Sequence, residues 1–226
     1  MSNIIIQTEN LSKSYIQGKF IIKVLENVNL EIHQRQKVFI IGPSGAGKTT
    51  LLNILGLMDN YDSGRYQLMG EDVAKLSPKE KNSIRKTHIS FLFQNVPLLT
   101  ELNVYENLIL PSKIKDGKTD IAKEVKIVSE KLGISELFKR KITEISVGQR
   151  QRVALASAIL KHPEILFCDE PTANLDNINT ENILQLIHEI NLDYGITVIF
   201  TTHNMSLAKY ADKIYELSYG KLRLVK

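Results

Sequence analysis

Ile40–Thr50 reads IIGPSGAGKTT, and this stretch decides the fold. Gly42-Pro43-Ser44-Gly45-Ala46-Gly47-Lys48-Thr49 satisfies the spacing G-x-x-x-x-G-K-[ST]. Glycines let successive backbone N–H groups converge on phosphate oxygens with no Cβ in the way. A helix expected from Lys48 to about Leu57 turns its positive end toward the same anion. Lys48 is placed to bridge the β- and γ-phosphates and the Thr49 hydroxyl to reach Mg²⁺, with Thr50 closing the set of phosphate-loop residues. The loop follows the apolar run Val38–Ile41, so the stretch reads as a strand, a loop gripping a nucleoside triphosphate, and a helix.

Outward from this loop, further apolar runs without alternation occur at Ile89–Phe93, Ile165–Cys168 and Ile196–Phe200. Such runs are strands buried on both faces, as in a parallel sheet covered by helices. Between them lie helical stripes. Ile121, Val125, Val128 and Leu132 form one, with Thr119 as its expected N-cap and Gly133 as its stop; Ile183, Leu184, Ile187 and Ile190 form another, ended near Gly195. Asn3–Tyr15 and Lys23–Ile32 read as additional strands. The expectation is an α/β fold in one domain, residues 1–226, with a mostly helical lobe from about Lys86 to His162.

Composition narrows the classes. The net charge of +4 comes from Lys and Arg that mostly alternate with Glu and Asp, which reads as a solvated surface and not as a nucleic-acid stripe. Cys168, the single cysteine, excludes an internal disulfide and falls inside an apolar run, so it reads as a buried structural thiol. No window approaches the roughly 18 consecutive apolar residues of a membrane span, and no signal peptide is visible. A cytoplasmic location is expected.

Ile165–Asp176, ILFCDEPTANLD, ends an apolar strand in two adjacent acids. Alternation along a strand sends Asp169 and Glu170 in different directions. Asp169 fits the Mg²⁺ side, and Glu170 a general base that aligns or deprotonates water. His203, after Thr201-Thr202, stands where open α/β sheets place their ligands and is suited to donate to a γ-phosphate. Gln94 follows another core strand in the same way, its amide oxygen suited to complete a Mg²⁺ shell or to orient water.

With these pieces in order, the chain resembles the ATP-binding-cassette (ABC) ATPase family along essentially its whole length. The stretch ISVGQRQRVALASAILKHPEILFCDEPTANLD, Ile145–Asp176, looks like the family's signature helix, its ATP-coordinating strand and its dimer-contact loop. The resemblance implies a P-loop fold with a parallel core sheet, an N-terminal antiparallel β sub-domain and a helical sub-domain. It also implies roles: Tyr15 stacks on adenine; Ser146, Gly148 and Gln149 form the signature loop; Asn174, Leu175 and Asp176 form the dimer-contact loop; and His203 is the switch histidine. ATP would then lie between two copies of the chain, the phosphate loop of one facing the signature loop of the other.

Departures from the family pattern are Val147 where glycine is usual, Gln36-Lys37 where Gly-Glu is frequent, and Ser157 where arginine is common. Valine tolerates positive φ poorly, so either the backbone at Val147 is ordinary or the half-site is weakened. Ser146-x-x-Gln149 is at the same time a helix capping box. LLNILGLMDNYDSGRYQLMGEDVAKLS and EPTANLD look like the bacterial branch serving lipoprotein release, macrolide and peptide export, and cell-division control. That branch implies a separate membrane permease partner, a homodimer with ATP at its interface, and a place on the inner face of the membrane. Asn95–Pro111 lies where the family docks on its membrane partner, although its apolar residues equally suit the lobe's own core.

Three other functions compete. An ATP-driven switch acting on a membrane partner without transport would use the same site residues. A soluble relative in translation or DNA repair would want a second cassette or a coiled-coil insertion, neither of which is visible. A GTPase would want an Asn-Lys-x-Asp guanine reader, which is absent.

Overall fold

The computed structural model describes residues 3–95, 97–112 and 121–226, with the side chains of Ser112 and Ala208 outside that description. Thr119, the expected helix cap, and Val96 lie outside the described residues. The chain begins with β1 (Ile4–Gln17), β2 (Phe20–His33), β3 (Lys37–Ile41), α1 (Lys48–Leu55), β4 (Ser63–Leu68) and the short β5 (Glu71–Asp72). Next come α2 (Pro78–Thr87), β6 (Ile89–Phe93), α3 (Val104–Ser112), α4 (Ile121–Lys131) and α5 (Val147–Ile159). It continues through β7 (Ile165–Asp169), α6 (Asn177–Tyr194), β8 (Thr197–Thr202), β9 (Lys213–Ser218) and β10 (Lys221–Leu224).

Two sheets result among the described residues. The first is antiparallel, in the order β2-β1-β4-β5. The second runs β10-β9-β3-β8-β7-β6, parallel except for the edge strand β10. In β3 every residue is buried, and alternation divides them between two cores. Val38 and Ile40 join Leu51, Leu52 and Leu55 of α1 and Ile5, Leu11 and Tyr66 of the antiparallel sheet. Phe39 and Ile41 face the other way, onto Val104, Val125, Val153, Ile187 and their neighbours in α3–α6. The helix after the phosphate loop is therefore held between the two sheets.

The departure at Lys37 has a local account. Its ammonium, almost wholly buried, lies 3.0 Å from Asp212 Oδ1 and donates to Asn191 Oδ1 at 3.3 Å. It ties β3 to the start of β9 and to α6.

Several boundaries differ from the sequence reading. α1 ends at Leu55, because Gly56 closes it and Leu57 turns to positive φ. The buried Tyr66 hydroxyl donates to the Leu55 carbonyl, capping that end. β8 runs on through Thr201 and Thr202, past the end of the apolar run at Phe200. β6 is a core strand inside the stretch from Lys86 to His162, so the helices between core strands occupy Val104–Ile159. α2 buries no side chain and so carries no apolar stripe. Its signal is its start, where Ser77 and Glu80 form a capping box around Pro78. Cys168 is fully buried, as expected, and burial pushes its thiol far up.

Gly56 marks a tight approach between the layers: an added Cβ would stand 2.0 Å from Cζ of Phe91, whose ring stacks on Phe93 and Phe167. Its φ of −86° is ordinary, so only space forbids a side chain. Gly56→Ala is expected to destabilise the fold by about 1–3 kcal/mol in urea unfolding. An unchanged midpoint would mean that the aromatic stack yields freely.

Candidate functional site

Strand register builds the site. Ile41 of β3 pairs with Thr202 of β8, Asp169 of β7 pairs with Thr201, and Phe93 of β6 pairs with Asp169. Four parallel strands thus end at one level, and Gly42, His203, Glu170 and Gln94 each follow such an end. Open α/β sheets place ligands at this edge. The cleft there holds about 410 Å³ and is lined by Ser44, Gly45, Gly47, Lys48, Thr49, Thr50, Gln94, Asp169, Glu170 and Val24. Pro43 and Ala46 line an adjoining hollow of about 270 Å³, shared with Ile22 and Tyr219.

Two glycines of the loop are required by space. A Cβ at Gly42 would stand 2.1 Å from the Leu217 carbonyl oxygen, and one at Gly47 would stand 2.9 Å from Val24 Cγ1. Gly47 also holds the N-cap of α1 at φ 100° and offers no side chain to the first N–H groups, which keeps them available to an anion.

Lys48 is 4% exposed, and its ammonium is fully engaged. It donates to the carbonyls of Gly42 at 3.0 Å and Pro43 at 2.9 Å and lies 3.0 Å from Glu170 Oε1. The other Glu170 oxygen is 3.1 Å from His203 Nδ1. Partial burial raises the Glu170 carboxyl, but hydrogen bonds and charge from Lys48 and His203 outweigh it, so the net shift is downward and the group is a carboxylate at neutral pH.

Asp169 and Glu170 do diverge, though for a different reason than strand alternation. Asp169 is the last residue of β7, whereas Glu170 has left the strand with φ 43°, in the left-handed region that a non-glycine residue rarely occupies. Asp169 accepts from the Thr49 hydroxyl at 2.8 Å and from the Thr201 hydroxyl at 2.7 Å. Thr201, fully buried, also accepts from the Glu170 amide at 3.0 Å, so one hydroxyl fixes both acids. Sequence reasoning missed it. The available signal was a threonine pair continuing an apolar strand, since a buried hydroxyl needs a partner.

Thr49, Asp169 and Gln94 bring a hydroxyl, a carboxylate and an amide to the lining of the same cleft. Oxygen donors of this kind suit a hard divalent cation that takes its remaining ligands from phosphate and water. Among the described residues no three His, Cys, Asp or Glu side chains converge as a metal cluster.

The remaining candidates sit elsewhere. Tyr15, on β1, is 40% exposed and donates its hydroxyl to Asp59 Oδ2 at 2.6 Å. Ser146 caps α5: its Oγ accepts from the Gln149 amide at 3.2 Å, while Gln149 Oε1 accepts from the Ser146 amide at 2.9 Å. Asp176 caps α6 through the Asn179 amide at 2.8 Å. Gly148 faces Asn179, where an added Cβ would stand 3.1 Å from its Oδ1. Ser146, Gly148, Gln149 and Asp176 therefore gather at two neighbouring helix starts and not on the lining of the phosphate-loop cleft.

Comparison with known proteins settles the family. A profile described as "ABC transporter" matches residues 25–173, well over half of the chain. The chain belongs to the ABC transporter family. It is an ABC ATPase domain, with the parallel core sheet, antiparallel β sheet and helices of that class. It is 39% identical over 227 residues to the lipoprotein-releasing system ATP-binding protein LolD of Francisella tularensis subsp. holarctica, covering all of this chain and 98% of that protein. To the macrolide export ATP-binding/permease protein MacB of Bdellovibrio bacteriovorus it is 37% identical over 96% of this chain, which spans 33% of that protein. Among solved structures, the dimeric bacterial ABC transporter cassette MJ0796 matches with a TM-score of 0.90 and 34% identity over 98% of both chains. A dimer of the same cassette in a post-hydrolysis state, bound to ADP and Pi, matches with a TM-score of 0.89 and 33% identity.

The fold resolves the question raised by Val147 in this ABC domain. Val147 is the first residue of α5, is absent from the positive-φ positions, and is 45% exposed. Its backbone is ordinary. Val147→Gly is expected to leave ATP turnover unchanged and to lower stability by roughly 0.5–1 kcal/mol through the lost helix preference. A faster enzyme in a steady-state phosphate-release assay would show that the valine side chain itself obstructs a working state.

Proposed function

We propose that this chain is the ATP-hydrolysing subunit of a bacterial ABC transporter of the lipoprotein-releasing kind, energising a separate membrane permease by ATP-driven dimerisation. The support is the full-length likeness to LolD, whose name describes an ATP-binding protein of a lipoprotein-releasing system. The observation that carries the chemistry is the Lys48–Glu170–His203 chain lying beside the Thr49–Asp169 pair at one sheet edge.

On this reading ATP is the substrate. Loop amides from Gly42 to Thr50 and the Lys48 ammonium hold its β- and γ-phosphates, and Tyr15 takes the base. Glu170 accepts a proton from a water that attacks the γ-phosphorus; the bond to the bridging oxygen breaks, and ADP and phosphate leave. His203 donates to the γ-phosphate. Thr49, Asp169 and Gln94 hold Mg²⁺, which supplies neutralisation of phosphate charge when bound.

The arriving γ-phosphate competes with Glu170 for Lys48, so nucleotide binding and release of the base from its ion pair are one exchange. Ser146, Gly148, Gln149 and Asp176, away from this cleft in their own chain, act on the ATP of a second copy. The subunit lies on the cytoplasmic face through its permease; among the described residues no helix is long and apolar enough to cross a membrane. Within Asn95–Pro111, Val104 and Leu108 belong to the lobe's core, while Leu99 and Leu110 are exposed and available to a permease helix.

Glu170→Gln is expected to keep ATP binding and to lower turnover by roughly 10²–10⁴-fold. Near-normal turnover would remove the general base assignment. Lys48→Ala is expected to abolish binding of a fluorescent ATP analogue, and unchanged affinity would refute its phosphate role. For the output, the chain and its co-purifying membrane partner would be reconstituted in vesicles carrying a lipoprotein. ATP-dependent lipoprotein release supports the transporter reading, whereas ATP turnover with nothing moved identifies a membrane switch.

A further inference from the structure

Tyr15 belongs to the antiparallel sheet and the phosphate loop to the parallel one. A nucleotide has a limited reach between base and terminal phosphate, so a ring that takes the base must stand within that reach of the loop. The structure contains such a tie. The Tyr15 hydroxyl donates to Asp59 Oδ2 at 2.6 Å, and Asp59 stands just beyond the C-terminal end of α1, the helix that starts at Lys48. The ring is thus gauged against the segment that leaves α1.

Asp59 is itself fixed. The mostly buried Lys13 ammonium lies 3.2 Å from Asp59 Oδ1, donates to the Asn60 carbonyl at 2.6 Å, and stands 4.9 Å from the Tyr15 ring centroid. Two more bonds join the segment after α1 to β1: the Asp62 amide donates to the Ser12 carbonyl at 2.8 Å, and the Ser14 amide donates to Asp62 Oδ2 at 2.6 Å. The ring nevertheless keeps 40% of its surface exposed. A ring ordered before its ligand arrives spares the ligand the cost of ordering it.

We propose that Asp59, held by Lys13, is a positioning residue that sets the Tyr15 ring at a fixed distance from the phosphate loop, ready to stack on a nucleotide base. This rests on the reading that Tyr15 takes the base, and the test separates the two. ATP and inorganic tripolyphosphate, which has neither base nor ribose, are titrated calorimetrically into the wild-type protein, Tyr15→Phe, Tyr15→Ala and Asp59→Ala. Tyr15→Phe keeps the ring and removes only a partly exposed hydroxyl, so it remains informative should Asp59→Ala fold poorly.

The expected result is that Tyr15→Phe and Asp59→Ala each weaken ATP binding by roughly three- to ten-fold, the scale of ordering one aromatic side chain, with tripolyphosphate unaffected. Tyr15→Ala is expected to lose at least as much. If Tyr15→Ala weakens ATP while Tyr15→Phe and Asp59→Ala match the wild type, the ring works without the tie and the proposal is wrong. If Tyr15→Ala is also silent, Tyr15 does not take the base and the underlying reading falls as well. An equal loss for ATP and tripolyphosphate would show that the contact only props the phosphate loop, which also overturns the proposal.

Discussion

A lysine ammonium taken out of water must be compensated in full, and the site is arranged around that demand. Lys48 is nearly inaccessible, and two loop carbonyls and one carboxylate meet its charge. Leaving such a charge without its partner costs about 3–5 kcal/mol. The glycine loop therefore folds back over the lysine, and Glu170 is drawn toward it, against the ordinary backbone preference at the end of β7. Because the same carboxylate also meets His203, the cation organises residues from three different strand ends. In the proposed reaction, phosphate oxygens take over part of this compensation, which is how a nucleotide reshapes the site without new strain.

Some of this was legible in the sequence because the chemistry leaves few alternatives. A loop that must present backbone amides to phosphate needs glycine at set positions, and Gly42 and Gly47 prove to be places where a Cβ has no room. Strands buried on both faces must be apolar throughout, so β3, β6 and β7 announce themselves. The less legible parts share one cause: the decisive group is polar and acts through tertiary contact. Thr201 and Thr202 extend β8 after the apolar signal has stopped. α2 has no buried face to read. The divergence of Asp169 and Glu170 was expected from alternation but arises from a left-handed turn, which no pattern of residue types reveals. Val147 shows the converse, where an unfavourable residue by family pattern lies in an unremarkable helical turn.

The distribution of anion-holding features also bears on assembly. The loop amides and Lys48 line one cleft, while the capped starts of α5 and α6 meet at Gly148 and Asn179 away from it. Ser146 and Gln149 bond each other reciprocally and Asn179 donates twice to Asp176, so both turns are closed by their own side chains. A preordered polar surface of this kind suits a partner that arrives intact, which on the proposed reading is the nucleotide-filled cleft of a second copy.

Short contacts join these two regions within one chain. α5, whose first turn carries the Ser146 cap, packs along β6, whose end carries Gln94. Gln151 Nε2 donates to the Phe93 carbonyl at 3.4 Å, the residue immediately before Gln94, and Ser90 Oγ donates to the Ala158 carbonyl at 2.9 Å. The buried Val153 of α5 and Leu92 of β6 share one core with Val104 and Leu108 of α3. On the proposed reading, a ligand that displaced Gln94 would press on a strand end bonded to α5, whose buried face shares its core with α3, and packed interiors transmit strain. On that reading transport and signalling would place the same demand on these contacts, a lobe that moves as a body when the cleft fills. On the proposed reading the β6–α5 contact is where the mechanical part of the function would reside, with transport or with signalling as the output.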